Sequence, residues 1–222
     1  FHRELAAITA RRRRNLAAWQ AHEANCRSFI LDHAGSGETA LLCGAGLCFD
    51  LPVTELLTRF DRLLLADTAF HPDVTGMARR NPAIELLPAD LSGRIDPSAM
   101  EALASREDID LVISANLMSQ LPLPFMRSAS EEEHNALIRD IARAHLEWLG
   151  RFRAKSILIS EIRRNCIDRQ GRMMLAEESL PGVTLPPPDA DWIWQIAPVG
   201  EIDRGFSLEL EMGAWAGATP RA

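Results

Sequence analysis

Tyrosine is absent from the 222 residues, and of the 24 basic side chains only Lys155 is a lysine. A bias of that kind reads as codon usage before it reads as function. The four cysteines, Cys26, Cys43, Cys48 and Cys166, contain no C-x-x-C pair, so neither a zinc ribbon nor a redox dithiol is indicated, and reduced thiols are expected. The histidines at 2, 22, 33, 71, 134 and 145 show no metal-ligand spacing, and no serine sits in a nucleophile elbow. Zinc and hydrolytic mechanisms drop out, with no metal expected. No apolar run approaches the roughly 20 residues that cross a bilayer. A formal charge of −7 disfavours nucleic acid as a partner for the whole surface, since phosphate contact needs clustered basicity.

What is present is globular composition, 47% apolar and 25% charged. The chain opens at Phe1 with a charged amphipathic stretch unlike a secretory leader, and the expected location is the cytoplasm. From Glu4 to about Leu31, apolar residues recur at helical intervals, predicting one long helix or two short ones. Residues 1–35 form an N-terminal helical extension, closed by the glycines of DHAGSGE (32–38). Residues 36–222 read as one α/β domain.

Within it, five apolar runs, TALLC (39–43), RLLLA (62–66), AIELL (83–87), IDLVIS (109–114) and KSILIS (155–160), alternate with helical patterns at about 52–59, 73–80, 97–105 and 131–149. Continuous apolar strands between helices signal a parallel sheet covered on both faces. The stretch 161–191 reads as a long loop with at most one helical turn, while 191–198 and 205–215 read as a hairpin. The expected fold is therefore α/β: a Rossmann-like, doubly wound, mostly parallel sheet of seven strands, with the C-terminal hairpin placing an antiparallel strand at one edge.

In LLCGAGLC (41–48) the first strand runs into Gly44, Ala45 and Gly46. Glycine permits a sharp turn there and leaves room for a ligand beside the backbone. Asp67 stands at the tip of the second strand, about 20 residues on, the spacing of an acid that bonds a ribose diol. Asp90, in LLPADLSG, stands at the tip of the third, where a carboxylate can accept from an exocyclic amine. Three strand ends point at one nucleoside.

Strand–GAG, strand–Asp, strand–Asp-Leu, in that order, resembles the seven-stranded Rossmann-like S-adenosylmethionine-dependent methyltransferases over roughly residues 39–215, and the terminal hairpin fits that family. The resemblance makes 36–222 an S-adenosylmethionine-binding domain. It implies S-adenosylmethionine as cofactor, with Gly44, Ala45 and Gly46 beside its methionine part, Asp67 on the ribose, and Asp90 with Leu91 at the adenine. It also implies a small-molecule or protein acceptor near the fourth strand end, where Ser114, Asn116, Ser119 and Gln120 are candidates, Asn116 on the cofactor side. No catalytic residue is implied, because methyl transfer from a sulfonium needs alignment more than acid or base. The family's leading acid and third glycine are replaced by Leu42 and Cys48. Asn-Pro-Pro-aromatic, frequent among nitrogen methyltransferases, is absent. Aminopropyl transfer of the spermidine-synthase kind and a non-catalytic methyltransferase-like binder are the alternatives.

Plainer readings stand beside these. Asp50 serves either the cofactor's ammonium or a helix cap. Arg11 to Arg14 form either a solvated helix face or an anion clamp. The stretch 161–191, with Arg163, Arg164 and Arg169, is either an acceptor loop, in which Arg163 and Arg164 bind substrate, or a surface excursion. Trp192 and Trp194 alternate on one strand face and read as core.

Overall fold

The computed structural model describes residues 2–126 and 130–217. Helices α1 (His2–Arg14) and α2 (Leu16–His33) come first, then β1 (Gly37–Cys43), α3 (Val53–Leu56), β2 (Phe60–Asp67), α4 (Pro72–Arg80), β3 (Ile84–Pro88), α5 (Ser98–Ala104) and β4 (Ile109–Ala115). A 3-10 turn at Leu123–Phe125 precedes α6 (Glu131–Leu149), and four strands follow: β5 (Lys155–Asp168), β6 (Met173–Glu178), β7 (Ala190–Ala197) and β8 (Phe206–Gly217). No helix among the described residues is long and apolar enough to cross a membrane.

One sheet runs β3-β2-β1-β4-β5-β8-β7, and β6 pairs separately with β5. Strands β1 to β5 pair in parallel, while β8 is antiparallel to both β5 and β7. The antiparallel strand thus lies one place in from the edge, and β7 is the edge. The strands are apolar on both faces because both are covered. Leu42, Leu63, Leu65, Leu111 and Ile113 face α2, α3 and α4, whereas Leu41, Leu64, Val112 and Leu158 face α5 and α6. Each such fully buried side chain contributes about 1.5–3 kcal/mol.

Helix α2 belongs to this cover. Its Trp19, Cys26, Phe29 and Ile30 are buried in the same cluster as β1. A break at Asn15, whose side-chain amide bonds Arg11 O at 3.0 Å, divides the first pattern into two helices. Helix α6 spans the predicted residues and opens with a capping box, Ser130 with Glu133.

The stretch 161–191 departs from its reading as a loop. β5 runs on to Asp168, turns through Gly171 at φ +78°, and returns as β6 in an antiparallel hairpin. Every residue of β6 is exposed, so this strand stands off the core and carries no apolar alternation to betray it.

Candidate functional site

The turn after β1 is dictated by neighbouring backbone. Gly44 has φ +83°, and a Cβ there would lie 2.7 Å from Ala115 O; at Gly46 one would lie 2.8 Å from Ala69 O. The tips of β1, β2 and β4 meet so closely that only glycine fits. The turn's amides are all engaged: Gly44 N and Ala45 N donate to Ala66 O at 3.0 and 3.3 Å, and Gly46 N to Asp67 Oδ2 at 2.8 Å. None is left to cradle a phosphate.

Asp67 also accepts from Thr68 N at 2.7 Å and Thr68 Oγ1 at 3.2 Å. Burial raises its pKa, with the Gly46 and Thr68 bonds opposing. Asp90 accepts from Ser92 Oγ at 2.6 Å, Ser92 N at 3.0 Å and Ile95 N at 2.8 Å. Burial works to raise its pKa too, but those bonds outweigh it and leave Asp90 below its ordinary value. Leu91 is 1% exposed and packs in the core below.

At the fourth strand end the candidates separate. Ser114 is fully buried on the α6 side, its Oγ 2.9 Å from His145 Nε2, and is turned away from the other candidates. Asn116, at φ +53°, reaches Asp50 and lies 3.1 Å from His22 Nε2. Asp50 does not cap α3, whose N-cap is Pro52. Ser119 Oγ donates to Glu161 Oε2 at 3.3 Å, and the exposed Gln120 reaches only Ser119, at 3.4 Å.

Glu161, 2% exposed, also accepts from Arg164 at 3.0 Å and from Ser179 Oγ at 2.5 Å. It ties the end of β4 to the segment entering β7. Arg163 instead faces Glu211 at 3.8 Å, and Arg169 donates to Arg204 O at 2.8 Å. The arginines of this segment are held by their own chain. So are two of those in α1: Arg12 grips Glu23 and lies over the Phe49 ring, 4.3 Å from its centre, while Arg14 and the following Asn15 donate to Glu201 at 2.5 and 3.0 Å. Arg14, with Asn15, pulls the Glu201 carboxyl down to about 2.

Beside Asn116 lies a group that sequence spacing did not reveal. His22, 2% exposed, stacks on Trp194 with centroids 3.8 Å apart, and Trp192 Nε1 donates to its Nδ1 at 3.0 Å. Cys26, one helical turn on, has its sulfur 3.5 Å from His22 Nε2. The donor atoms of His22, Cys26 and Asp50 lie within 4.8 Å of one another, a grouping of the kind that can hold a metal ion. Burial pushes His22 down to about 3 and pushes the Cys26 thiol and the Asp50 carboxyl up. The i, i+4 spacing of His22 and Cys26 on one helix was the available signal; the Asp50 and Trp192 contacts are tertiary.

No protein-family model matches the chain, and no curated protein matches it in sequence. Among solved structures it is similar to the N-methyltransferase NodS of Bradyrhizobium japonicum with S-adenosyl-L-homocysteine, at 13% identity over 89% of this chain and 86% of that one, TM-score 0.47. It is also similar to the Burkholderia thailandensis 1,6-didemethyltoxoflavin-N1-methyltransferase with S-adenosylhomocysteine, at 13% identity, 96% and 89% coverage and TM-score 0.47. The architecture is the Rossmann-like methyltransferase one. The strand order and the antiparallel β8 inserted beside β5 define it.

Proposed function

We propose that this chain is an S-adenosylmethionine-dependent methyltransferase acting on a small-molecule or protein acceptor. The carrying observation is the turn at Gly44 to Gly46: it has the glycine-only geometry of a nucleoside site, yet its three amides are engaged internally. A dinucleotide needs free amides for its pyrophosphate, whereas an S-adenosyl group has no phosphate. The antiparallel β8 favours the same cofactor.

In this reading Asp67 meets the ribose and Asp90 the adenine, each exchanging a bond to its own chain for one to the ligand. Gly44, Ala45, Gly46 and Asn116 line the methionine end. The Ser119–Glu161–Arg164–Ser179 cluster borders the acceptor. Its one buried carboxylate is already paired with Arg164, which disfavours the polyamine acceptor of an aminopropyltransferase. The chain's part in the reaction is to align donor and acceptor and exclude water.

Calorimetric titration with S-adenosylhomocysteine, with NAD as control, tests the cofactor. Binding of the first alone is expected, and binding of NAD alone would overturn the reading. A methyl-release assay over a metabolite panel then separates an enzyme from a binder.

A further inference from the structure

Among the described residues three strand edges are left open, those of β3, β7 and β6. The first two rest a face on the core, through Ile84 in β3 and through Trp194 and Ala197 in β7. Strand β6 does not: all six of its residues are exposed, and Met173, Met174 and Leu175 keep 54%, 61% and 49% of their surface in solvent. An open edge bearing apolar side chains is a template for another strand. Its place in the sheet follows from β8, which holds one flank of β5 along 156–168. The other flank therefore carries β4 along 155–159 and then β6 along 163–167. Strand β6 continues the line of β4 beyond its end, and its open edge lies on the side of β1.

The side chains along that edge are ordered. Against β5, Glu177 pairs with Arg164 and Leu175 with Cys166; past a bulge at Met174, Arg172 O accepts from Asp168 N at 3.0 Å. Successive partners on β5 lie two residues apart, so Arg172, Leu175 and Glu177 recur at equal steps on one face. Reversed about Leu175, this row is its own complement: Arg172 comes opposite Glu177 at both ends, and Leu175 opposite Leu175 in the middle. Glu177 makes no ion pair with any described residue, since Arg164 across the strand turns to Glu161 at 3.0 Å. Arg172 bonds Asp168 at 2.7 Å yet keeps 77% of its side chain in solvent.

We propose that β6 pairs antiparallel with β6 of a second copy of this chain, about a two-fold axis at Leu175. The order of charges selects this occupant. A parallel, in-register stack sets Glu177 on Glu177 and Arg172 on Arg172, which is destabilising, whereas the two-fold arrangement pairs opposite charges twice. The bulge adds local twist, which opposes a flat stack of many copies. Both open edges are used up in one contact, so the assembly closes at two copies. This surface is independent of the cofactor reading above.

Sedimentation velocity over a concentration series reads the assembly. The parent should show monomer in equilibrium with dimer, and Leu175→Arg, which sets two like charges on the axis at an exposed position, should be monomeric. Arg172→Glu and Glu177→Arg should each be monomeric as well, because each leaves the row with charges of one sign. Their equimolar mixture should dimerise, because the two rows then complement each other. Circular dichroism matching the parent checks that each variant folds. Without any variant, amide hydrogen exchange in 173–178 of the parent should slow as its concentration rises. A parent that stays monomeric, a dimer that persists in Leu175→Arg, assemblies of more than two copies, a mixture no more dimeric than its components, or exchange independent of concentration would each overturn the pairing.

Discussion

The amide of Gly46 donates to Asp67 Oδ2 at 2.8 Å, fastening the turn after β1 to the tip of β2. Asp67 therefore holds its own chain before it holds a ligand. Asp67→Ala should lower Tm without any ligand and also weaken S-adenosylhomocysteine binding by about 1.5–3 kcal/mol, the range for bonds to a charged partner. Thermal unfolding with and without ligand separates the two effects; an unchanged ligand-free Tm would show that the Gly46 bond carries no stability.

Gly44 and Gly171 both sit at positive φ, but only Gly44 is crowded. A Cβ at Gly171 meets nothing within 4 Å. Gly171→Ala should cost the left-handed backbone alone, about 1–2 kcal/mol, and Gly44→Ala substantially more because Ala115 O blocks the methyl. Denaturant unfolding of the two variants measures the difference, and equal losses would remove the steric account of the turn.

Two buried histidines set the response to acid. Burial pushes His22 to about 3 and His145 to about 4, below an ordinary value of 6.5. A base whose folded pKa is depressed contributes stability fully above the unfolded value, and this is lost as pH falls through the folded one. Tm should therefore decline from about pH 6.5 down toward pH 4, and it should decline less in His145→Gln, provided that variant folds. Asp50, with a raised folded pKa, works the other way: its stability is present below pH 3.8 and lost as pH rises. An acid limb identical in His145→Gln and parent would exclude His145 as its source.

Glu161 gathers Ser119, Arg164 and Ser179. Glu161→Ala leaves their donors buried or unpaired, with an expected loss of about 1–3 kcal/mol and faster hydrogen exchange in 179–189. Stability loss without faster exchange there would mean that the segment is anchored elsewhere.

The parallel strands were legible because burial on both faces writes a continuous apolar word such as RLLLA or IDLVIS, and α6 because its acidic start and apolar stripe agree. The far half of β5 and all of β6 were not, since MMLAEE is exposed throughout and RRNCID is polar and only partly covered, so their regularity is backbone pairing. Among candidate residues, the glycines, Asp67, Asp90 and Asn116 do stand at the strand tips. Ser114 failed by one step of the strand alternation, which sends it to the α6 face. His22 and Glu161 were passed over because a lone histidine in a helix and an acid in a polar run gain meaning only from partners about 90 and 40 residues away, Asn116 and Ser119.

The place of β8 bears on how the chain reaches this state. One side of β5 is paired with β8 from Ser156 to Asp168, yet β8 begins only at Phe206. During synthesis the first five strands can assemble while that flank keeps a row of unpaired amides and carbonyls, an open template for any extended chain nearby. A ribosome paused between residues 168 and 206 would hold a nascent sheet with its interior exposed, and closure waits for the strand made last among those described. Completion of the sheet is thus a non-local pairing, the kind that forms slowly, and it comes after the helices have formed.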